Sequence, residues 1–207
     1  MDDNASTITG GKGTSDVLNI NFDATDSANV TLVSNIETIN IKDGDADTVT
    51  ANTVTLANAN ATYTSATDYQ TLTVDSTSIG ADGDSVVIDA ALEVDGKVII
   101  KTGAAVDTVT VDASANFGSD ISTGAGKDVI KFATAALTSA DKINAGDGAD
   151  TLTATDDATV IDADFTSISS VETITGNSAT IGLNLTLEDL ADAAGIRTVT
   201  LTDAGAA

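Results

Sequence analysis

Two short turns rich in glycine and aspartate contain the residues best suited to bind a metal ion. They are Gly124-Ala-Gly126-Lys-Asp128 and Gly146-Asp147-Gly148-Ala-Asp150, with the final aspartates 22 residues apart. Glycine permits positive φ and a tight backbone curve that can direct carbonyl oxygens toward an ion. Aspartate adds an anionic oxygen, and Ca²⁺ is bound by carbonyl and carboxylate oxygens. An ordinary Gly/Asp turn explains either copy alone, but the repetition favours a calcium site.

Other turns carry acids at related positions and extend the predicted ligand set. These candidates are Asp16 after a Gly10-Gly11 pair, the cluster Asp43, Asp45 and Asp47, and the pair Asp82 and Asp84. Each turn departs from the two best copies, by one extra residue or by aspartates where glycines are expected. Asp107 follows a turn that lacks the second glycine and a neighbouring acid, so we leave it outside the predicted ligand set.

The acidic excess of the chain excludes several classes of partner. Thirty-two Asp and Glu against eight Lys and Arg give a formal charge of −24. Nucleic acid needs a basic face for its phosphates, and an anionic membrane surface would repel this chain. So large a charge opposes compaction unless cations neutralise part of it, which favours bound divalent cations. The alternative is a solvated acidic surface of the halophile type.

An enzymatic function is poorly supported by the residue types present. The chain contains no Cys and no His, which removes the usual nucleophile–base pairs, and it has neither a P-loop nor a dinucleotide fingerprint. Paired carboxylates can hydrolyse glycosides, but Arg197 is the sole arginine and aromatics make up only 3% of the chain. We therefore expect a non-enzymatic protein.

A recurring phrase predicts the fold. It consists of a polar residue, then Thr or Val, then an aliphatic residue and usually Thr. Copies of this phrase begin at Asp107, Asp128, Asp150, Glu172 and Arg197, in steps of 21, 22, 22 and 25 residues. Apolar residues alternate within each unit, which is typical of strands with one buried face. A period in the low twenties corresponds to one solenoid coil. We predict an all-β, parallel β-helix or β-roll-like solenoid with coils of roughly 21–25 residues.

The solenoid is expected to include one or two short helices. The segment Thr186–Gly195 has a candidate N-cap in Thr186 and a glycine stop, and residues 134–142 are a second candidate. Similar stretches at 33–41 and 168–176 lie 135 residues apart. One continuous solenoid over 1–207 is the simpler organisation, and a duplication into 1–120 and 121–207 is the alternative. We expect this segment to be a fragment of a longer secreted protein.

The glycine–aspartate turns resemble the Gly-Gly-x-Gly-x-Asp-x-aliphatic-x repeat of RTX proteins. The composition and segments such as Ser169-Ser-Val-Glu-Thr-Ile resemble RTX-type surface-layer (S-layer) proteins. The resemblance implies type I secretion, calcium-dependent folding outside the cell and self-association into a lattice on the cell surface. Any binding to cell-surface polysaccharide would use regions outside this segment. The alternative is a calcium-stiffened spacer or binding module of a large secreted RTX adhesin.

Overall fold

Parallel strands stacked coil upon coil make up most of the chain that can be described. The computed structural model describes residues 7–22, 27–30, 33–44, 51–57, 60, 63–65, 68–80, 83–93, 96–111, 118–133, 136–155, 159–178 and 184–203. These residues form an all-β, parallel β-solenoid of about seven turns, as the repeating phrase predicts.

The strands are short, and loops or corners separate them. In chain order they are β1 (Ile8–Thr9), β2 (Val17–Phe22), β3 (Ser27–Asn29), β4 (Val33–Ser34), β5 (Thr38–Asp43), β6 (Ala51–Thr55), β7 (Tyr63–Ser65), β8 (Asp68–Tyr69), β9 (Thr71–Asp75), β10 (Ser85–Ala90), β11 (Lys97–Lys101), β12 (Thr108–Val111), β13 (Asp120–Ser122), β14 (Ala125–Gly126), β15 (Val129–Phe132), β16 (Lys142–Asn144), β17 (Asp147–Gly148), β18 (Thr151–Ala154), β19 (Thr159–Val160), β20 (Ile168–Ser169), β21 (Thr173–Ser178), β22 (Asn184–Leu185) and β23 (Thr198–Asp203). A 3-10 helix covers Asp162–Phe165, and one α-helix, α1, covers Asp189–Ala194.

Two principal sheets form the walls of the solenoid. The eight-stranded sheet has the order β23-β21-β18-β15-β12-β10-β6-β3, and the seven-stranded sheet has the order β2-β5-β9-β11-β13-β16-β20. All neighbours within both sheets are parallel. Two-stranded parallel pairs, β1–β4, β14–β17 and β19–β22, occupy other positions around the coils. The pair β7–β8 is antiparallel.

Aliphatic side chains stack in columns between the walls. One column of the eight-stranded sheet is Val54, Ile88, Val109, Ile130, Leu152 and Ile174, each at most 1% exposed. A matching column of the seven-stranded sheet is Ile39, Val74, Ile100, Ile121, Ile143 and Ile168. Because strand side chains alternate between faces, the intervening Thr and Lys residues point outward. The core is thus a narrow aliphatic stack.

The recurring phrase does not occupy one wall throughout. From Asp107 onward it leads into the eight-stranded sheet, through β12, β15, β18, β21 and β23. At Asp16 and Glu37 the same phrase leads into β2 and β5, which belong to the seven-stranded sheet. The phrase therefore precedes strands of both walls.

The predicted helix at 186–195 is confirmed, with a different start. The helix begins after Glu188 and stops at Gly195, whose φ of +109° only glycine adopts readily. Thr186 does not cap it. The carboxylate of Asp162, in the preceding coil, accepts hydrogen bonds from the backbone N–H groups of Glu188, Leu190 and Ala191 instead.

The second predicted helix, at 134–142, is wrong for the residues described there. Residues 136–141 form turns, and β16 begins at Lys142. Asp141 organises these turns by accepting hydrogen bonds from Ser119 and Thr138, so the local acid stabilises a turn rather than a helix. No helix in the described part of the chain has the length and apolar character needed to cross a membrane.

Candidate metal centre

The predicted ligands Asp128 and Asp150 stack on successive coils. Each immediately precedes a strand of the eight-stranded sheet, and β15 pairs with β18 so that Val129 lies beside Thr151. The backbone N–H of Asp128 donates to Oδ1 of Asp150 at 2.8 Å. One coil earlier, the N–H of Asp107 donates to Oδ1 of Asp128, also at 2.8 Å. The carboxylates thereby form a continuous line along the solenoid.

This line ends in a glutamate and begins at the coil before Asp107. Oε2 of Glu172 accepts the N–H of Asp150 at 2.7 Å, and Oδ1 of Asp107 accepts the N–H of Val86 at 2.8 Å. We call Asp107, Asp128, Asp150 and Glu172 the carboxylate column. Every member satisfies a backbone donor of the preceding coil, which an aliphatic side chain could not do. Holding the coils in register is therefore one function of these acids.

Asp16 and Glu37 repeat the arrangement at corners that lead into the seven-stranded sheet. The N–H of Asp16 donates to Oε2 of Glu37 at 2.7 Å, as Asp150 does to Glu172. Both glutamates follow a non-glycine residue in the left-handed region, Asn35 with φ +52° and Ser170 with φ +58°. The similarity between 33–41 and 168–176 is thus a shared corner geometry.

One carboxylate oxygen of each column aspartate is left without a hydrogen-bond partner. Asp107, Asp128 and Asp150 are 1%, 0% and 1% exposed. Their Oδ2 atoms, like Oδ2 of Asp16, are buried and accept no hydrogen bond in the described structure. A buried anionic oxygen without a partner is strongly disfavoured. Binding of a proton or a cation would therefore stabilise each of these buried oxygens.

The pKa values of these carboxyl groups reflect the same cost. The pKa of Asp150 is raised to about 6, mainly by burial. The hydrogen bond from the backbone of Asp128 lowers this pKa, whereas the nearby charges of Asp128 and Glu172 raise it. Burial likewise raises the pKa of Asp107 and of Asp128, although backbone N–H donors and the nearby hydroxyls of Thr102 and Thr123 partly offset the effect of burial. These three aspartates are ionised at neutral pH only at a cost in stability.

The predicted glycines allow the turns to stack closely. Gly126 and Gly148 end the short paired strands β14 and β17, and Gly124 and Gly146 precede these strands with φ of +89° each. A Cβ on Gly146 would overlap the carbonyl oxygen of Gly124 in the coil below. That same oxygen accepts the N–H of Asp147 at 2.8 Å. The glycine carbonyls are therefore directed along the solenoid axis, toward the next coil.

The remaining predicted ligands lie elsewhere. The side chain of Asp147 is exposed and apart from the buried column. Asp43 is half-buried at the end of β5, and Asp84 is buried directly before β10, one coil ahead of Asp107. Asp45, Asp47 and Asp82 lie outside the described residues.

The column is a line of carboxylates and not a closed ligand cage. Among the described residues, no three acidic side chains converge on one point. A cation held between two coils would take carboxylate oxygens from both coils and neighbouring carbonyl oxygens, with water completing the six to eight oxygen ligands that Ca²⁺ prefers. The unpartnered Oδ2 atoms of Asp128 and Asp150 would supply the anionic part of that set.

Sequence reasoning underestimated Asp107. It shares the burial, the backbone hydrogen bond and the unpartnered Oδ2 of Asp128 and Asp150. The available signal was its strand phrase and its step of 21 residues to Asp128, which mark the column position more reliably than the glycines do. Asp141 and Asp162 were also missed, because their backbone partners at Ser119 and in α1 come from neighbouring coils.

Comparison of the chain with protein-family models, with curated proteins and with solved structures gave no match.

Proposed function

We propose that this chain is a calcium-stabilised β-solenoid segment of a bacterial surface-layer protein, secreted and assembled into a lattice at the cell surface. The observation that carries the calcium part is the run of buried, unpartnered Oδ2 atoms at Asp107, Asp128 and Asp150. A chain with a formal charge of −24 gains stability from any cation that neutralises such groups. Hard oxygen ligands favour Ca²⁺ over softer metals.

Calcium would link folding to the extracellular environment. Oδ2 of Asp128 and of Asp150, with carbonyl oxygens of the adjacent turns, would hold the ion, which supplies the positive charge that the column lacks. Because the column lines up only in the folded solenoid, the free energy of binding adds to the free energy of folding. Extracellular calcium modules bind with Kd of about 10⁻⁴–10⁻³ M, so millimolar calcium would suffice.

The double variant Asp128→Asn/Asp150→Asn tests the site directly. Asparagine keeps an oxygen for the backbone N–H and replaces the unpartnered anionic oxygen by an amide, so the fold should persist while calcium binding is lost. Isothermal titration calorimetry measures the binding, and circular dichroism in chelator and in calcium measures the folding. Asp147→Asn is the control, because it makes the same Asp-to-Asn change at an exposed side chain, where it removes one negative charge. Unchanged calcium binding in the double variant would refute the site.

The lattice and the secretion route rest on the resemblance of the sequence to RTX-type surface-layer proteins. A second candidate is a stiff spacer of a secreted RTX adhesin, which the uninterrupted stacking from β10 to β21 favours because such a stack makes a rod. Electron microscopy of the parent protein in calcium separates the two. Two-dimensional sheets support the surface-layer function, whereas isolated rods support the spacer.

A further inference from the structure

Five neighbouring strands of the eight-stranded sheet, β6, β10, β12, β15 and β18, present a regular outer face. They pair without a slip in register, and their outward residues alternate with buried ones. The outward residues form two rows that run along the solenoid. The first row is Thr53, Val87, Thr108, Val129 and Thr151, and the second row is Thr55, Asp89, Thr110, Lys131 and Thr153. We call these two rows the threonine wall.

The threonine wall lacks the acidic excess of the rest of the chain. The chain has 32 acidic and 8 basic residues, whereas the wall has one of each, Asp89 and Lys131, and therefore no net charge. A large net charge of one sign keeps protein molecules apart, so two copies approach each other at lower cost through a neutral surface. The Thr and Val side chains are stiff at χ1 and lose little conformational freedom in a contact. The wall is thus suited to meet a second copy of the chain.

Both rows are symmetric about β12. In the first row, Val87 and Val129 lie one strand to either side of Thr108. In the second row, Asp89 and Lys131 lie one strand to either side of Thr110. Threonine occupies all four positions that lie two strands from β12. Reversing the order of the strands therefore exchanges valine with valine and an acid with a base.

We infer that the threonine walls of two copies of this chain pack face to face, about a twofold axis that runs along β12. Rotation about this axis reverses the order of the coils and keeps the direction of the strands. Asp89 then lies opposite Lys131 of the partner subunit, and Val87 lies opposite Val129 of the partner subunit. Because a twofold interface uses one surface twice, two Asp–Lys pairs and two Val–Val contacts form together.

The charges select this axis over one that runs along the solenoid. The second axis would place the first row of one copy over the second row of the other, so that each valine would face a charged side chain without a partner. The axis along β12 avoids this cost. Lys131 forms no ion pair with any described residue, and Asp89 accepts the N–H of Ala91 at 3.1 Å through Oδ1 alone. The ammonium group of Lys131, with its three donors, can therefore bind the carboxylate of Asp89 of the partner subunit.

The contact is small and the dimer should be weak. Five strands spaced by about 4.8 Å, each with outward residues over about 14 Å, cover roughly 300 Å² per copy. Stable interfaces cover about 800 Å² per partner. Val106 lies two residues before Thr108 and is 56% exposed, which adds apolar surface near the axis. A weak twofold contact of this kind gains strength when it is combined with other contacts in an array.

Sedimentation equilibrium in calcium, up to millimolar protein and at about 0.1 M salt, where charges more than about 10 Å apart are screened, measures the dimer. Lys131→Asp should weaken it by on the order of tenfold, because two opposite-charge pairs become like-charge pairs. Lys101→Asp makes the same change on the outer face of β11, in the other sheet, and should leave the dimer intact. The double variant Asp89→Lys/Lys131→Asp exchanges the two charges and should restore the dimer. Circular dichroism checks that each variant is folded.

A mixture of two single variants tests the symmetry of the pairing. Lys131→Asp alone and Asp89→Lys alone each place like charges opposite each other. When the two proteins are mixed, both charges of one copy meet opposite charges on the other, so a heterodimer should form although neither homodimer is stable.

Cross-linking tests the position of the axis, because the chain has no native cysteine. Thr108→Cys places two thiols opposite each other across the interface, and packed sheets lie about 10 Å apart. A bis-maleimide linker of that length should therefore join two copies. Thr73→Cys, on the outer face of β9 in the seven-stranded sheet, should not be joined.

A parent protein that stays monomeric at millimolar concentration, or a dimer that Lys131→Asp and Lys101→Asp affect equally, would overturn the inference. The inference rests on the self-association in the proposed function, but the two fail separately. Two-dimensional sheets that persist unchanged in Lys131→Asp refute only the contact between threonine walls. A dimer of threonine walls in a protein that neither binds calcium nor forms sheets refutes only the proposed function.

Discussion

The backbone N–H of Asp128 and the Oδ1 atom of Asp150 are 2.8 Å apart, across two successive coils of the solenoid. This contact gives a sequence repeat of 22 residues a physical function, because each acid completes the hydrogen bonding of the coil before it. The other oxygen of the same carboxylate remains without a partner. One side chain thus stabilises the register of the coils and carries an uncompensated charge.

In the absence of calcium, the protein should become less stable as the pH rises from about 4 to about 6. Burial raises the pKa of Asp150 from 3.8 to about 6, so within this window the folded chain binds more protons than the unfolded chain. The free energy of unfolding therefore falls with rising pH and levels off above the folded pKa. Urea unfolding in the presence of a chelator, at a series of pH values, measures this pH dependence of the free energy of unfolding.

Asp150→Asn should flatten this pH dependence and raise the stability near neutral pH without calcium. Asp147→Asn removes one negative charge from an exposed position, and it should leave the slope nearly unchanged. A parent protein whose stability increases through this pH window would contradict the ionisation of a buried carboxyl group at Asp150.

Gly146→Ala should destabilise the fold. A Cβ at this position would overlap the carbonyl oxygen of Gly124, and its φ of +89° disfavours any L side chain. We expect a loss of about 1–3 kcal/mol in the free energy of unfolding, measured in denaturant. Gly11→Ala is the control, because its Cβ would meet only ordinary contacts. Equal stability of the two variants would argue against close stacking of the turns.

Asp162→Ala should loosen α1 selectively. Burial opposes ionisation of this carboxylate, but hydrogen bonds from Ala191, Glu188 and Leu190 outweigh it and hold its pKa below the usual value. The contact therefore stabilises the fold above the ordinary pKa of an aspartate and is lost as the pH falls through the lowered pKa. Amide hydrogen exchange should accelerate at the three donors, whereas Asp189→Ala should leave them protected.

Ser170→Gly should stabilise the corner before Glu172. Ser170 has a φ of +58°, a conformation that costs an L residue about 1–2 kcal/mol, and glycine removes this strain at some cost in chain entropy. The net gain should reach up to about 1 kcal/mol. Ser169→Gly, within β20, should instead be destabilising. A loss of stability at Ser170→Gly would mean that its hydroxyl is needed at the corner.

The strands could be predicted from sequence because their signal is local. Val109, Ile130 and Leu152 alternate with outward threonine or lysine, and their spacing of 21 and 22 residues is the length of a coil. The stop of α1 at Gly195 is equally local, since its positive φ demands glycine. The start of α1 has no such local signal, because the acid that caps it is Asp162, from the coil below.

The sequence by itself determined the all-β solenoid, its period and the position of Asp128 and Asp150, since alternation and spacing follow from strand geometry alone. Only the tertiary structure decided what those acids contact. Their burial, their unpartnered oxygens and the equivalence of Asp107 depend on the coils above and below them. Contacts between residues more than twenty positions apart have no local signature in the sequence, because these residues meet only in the folded chain.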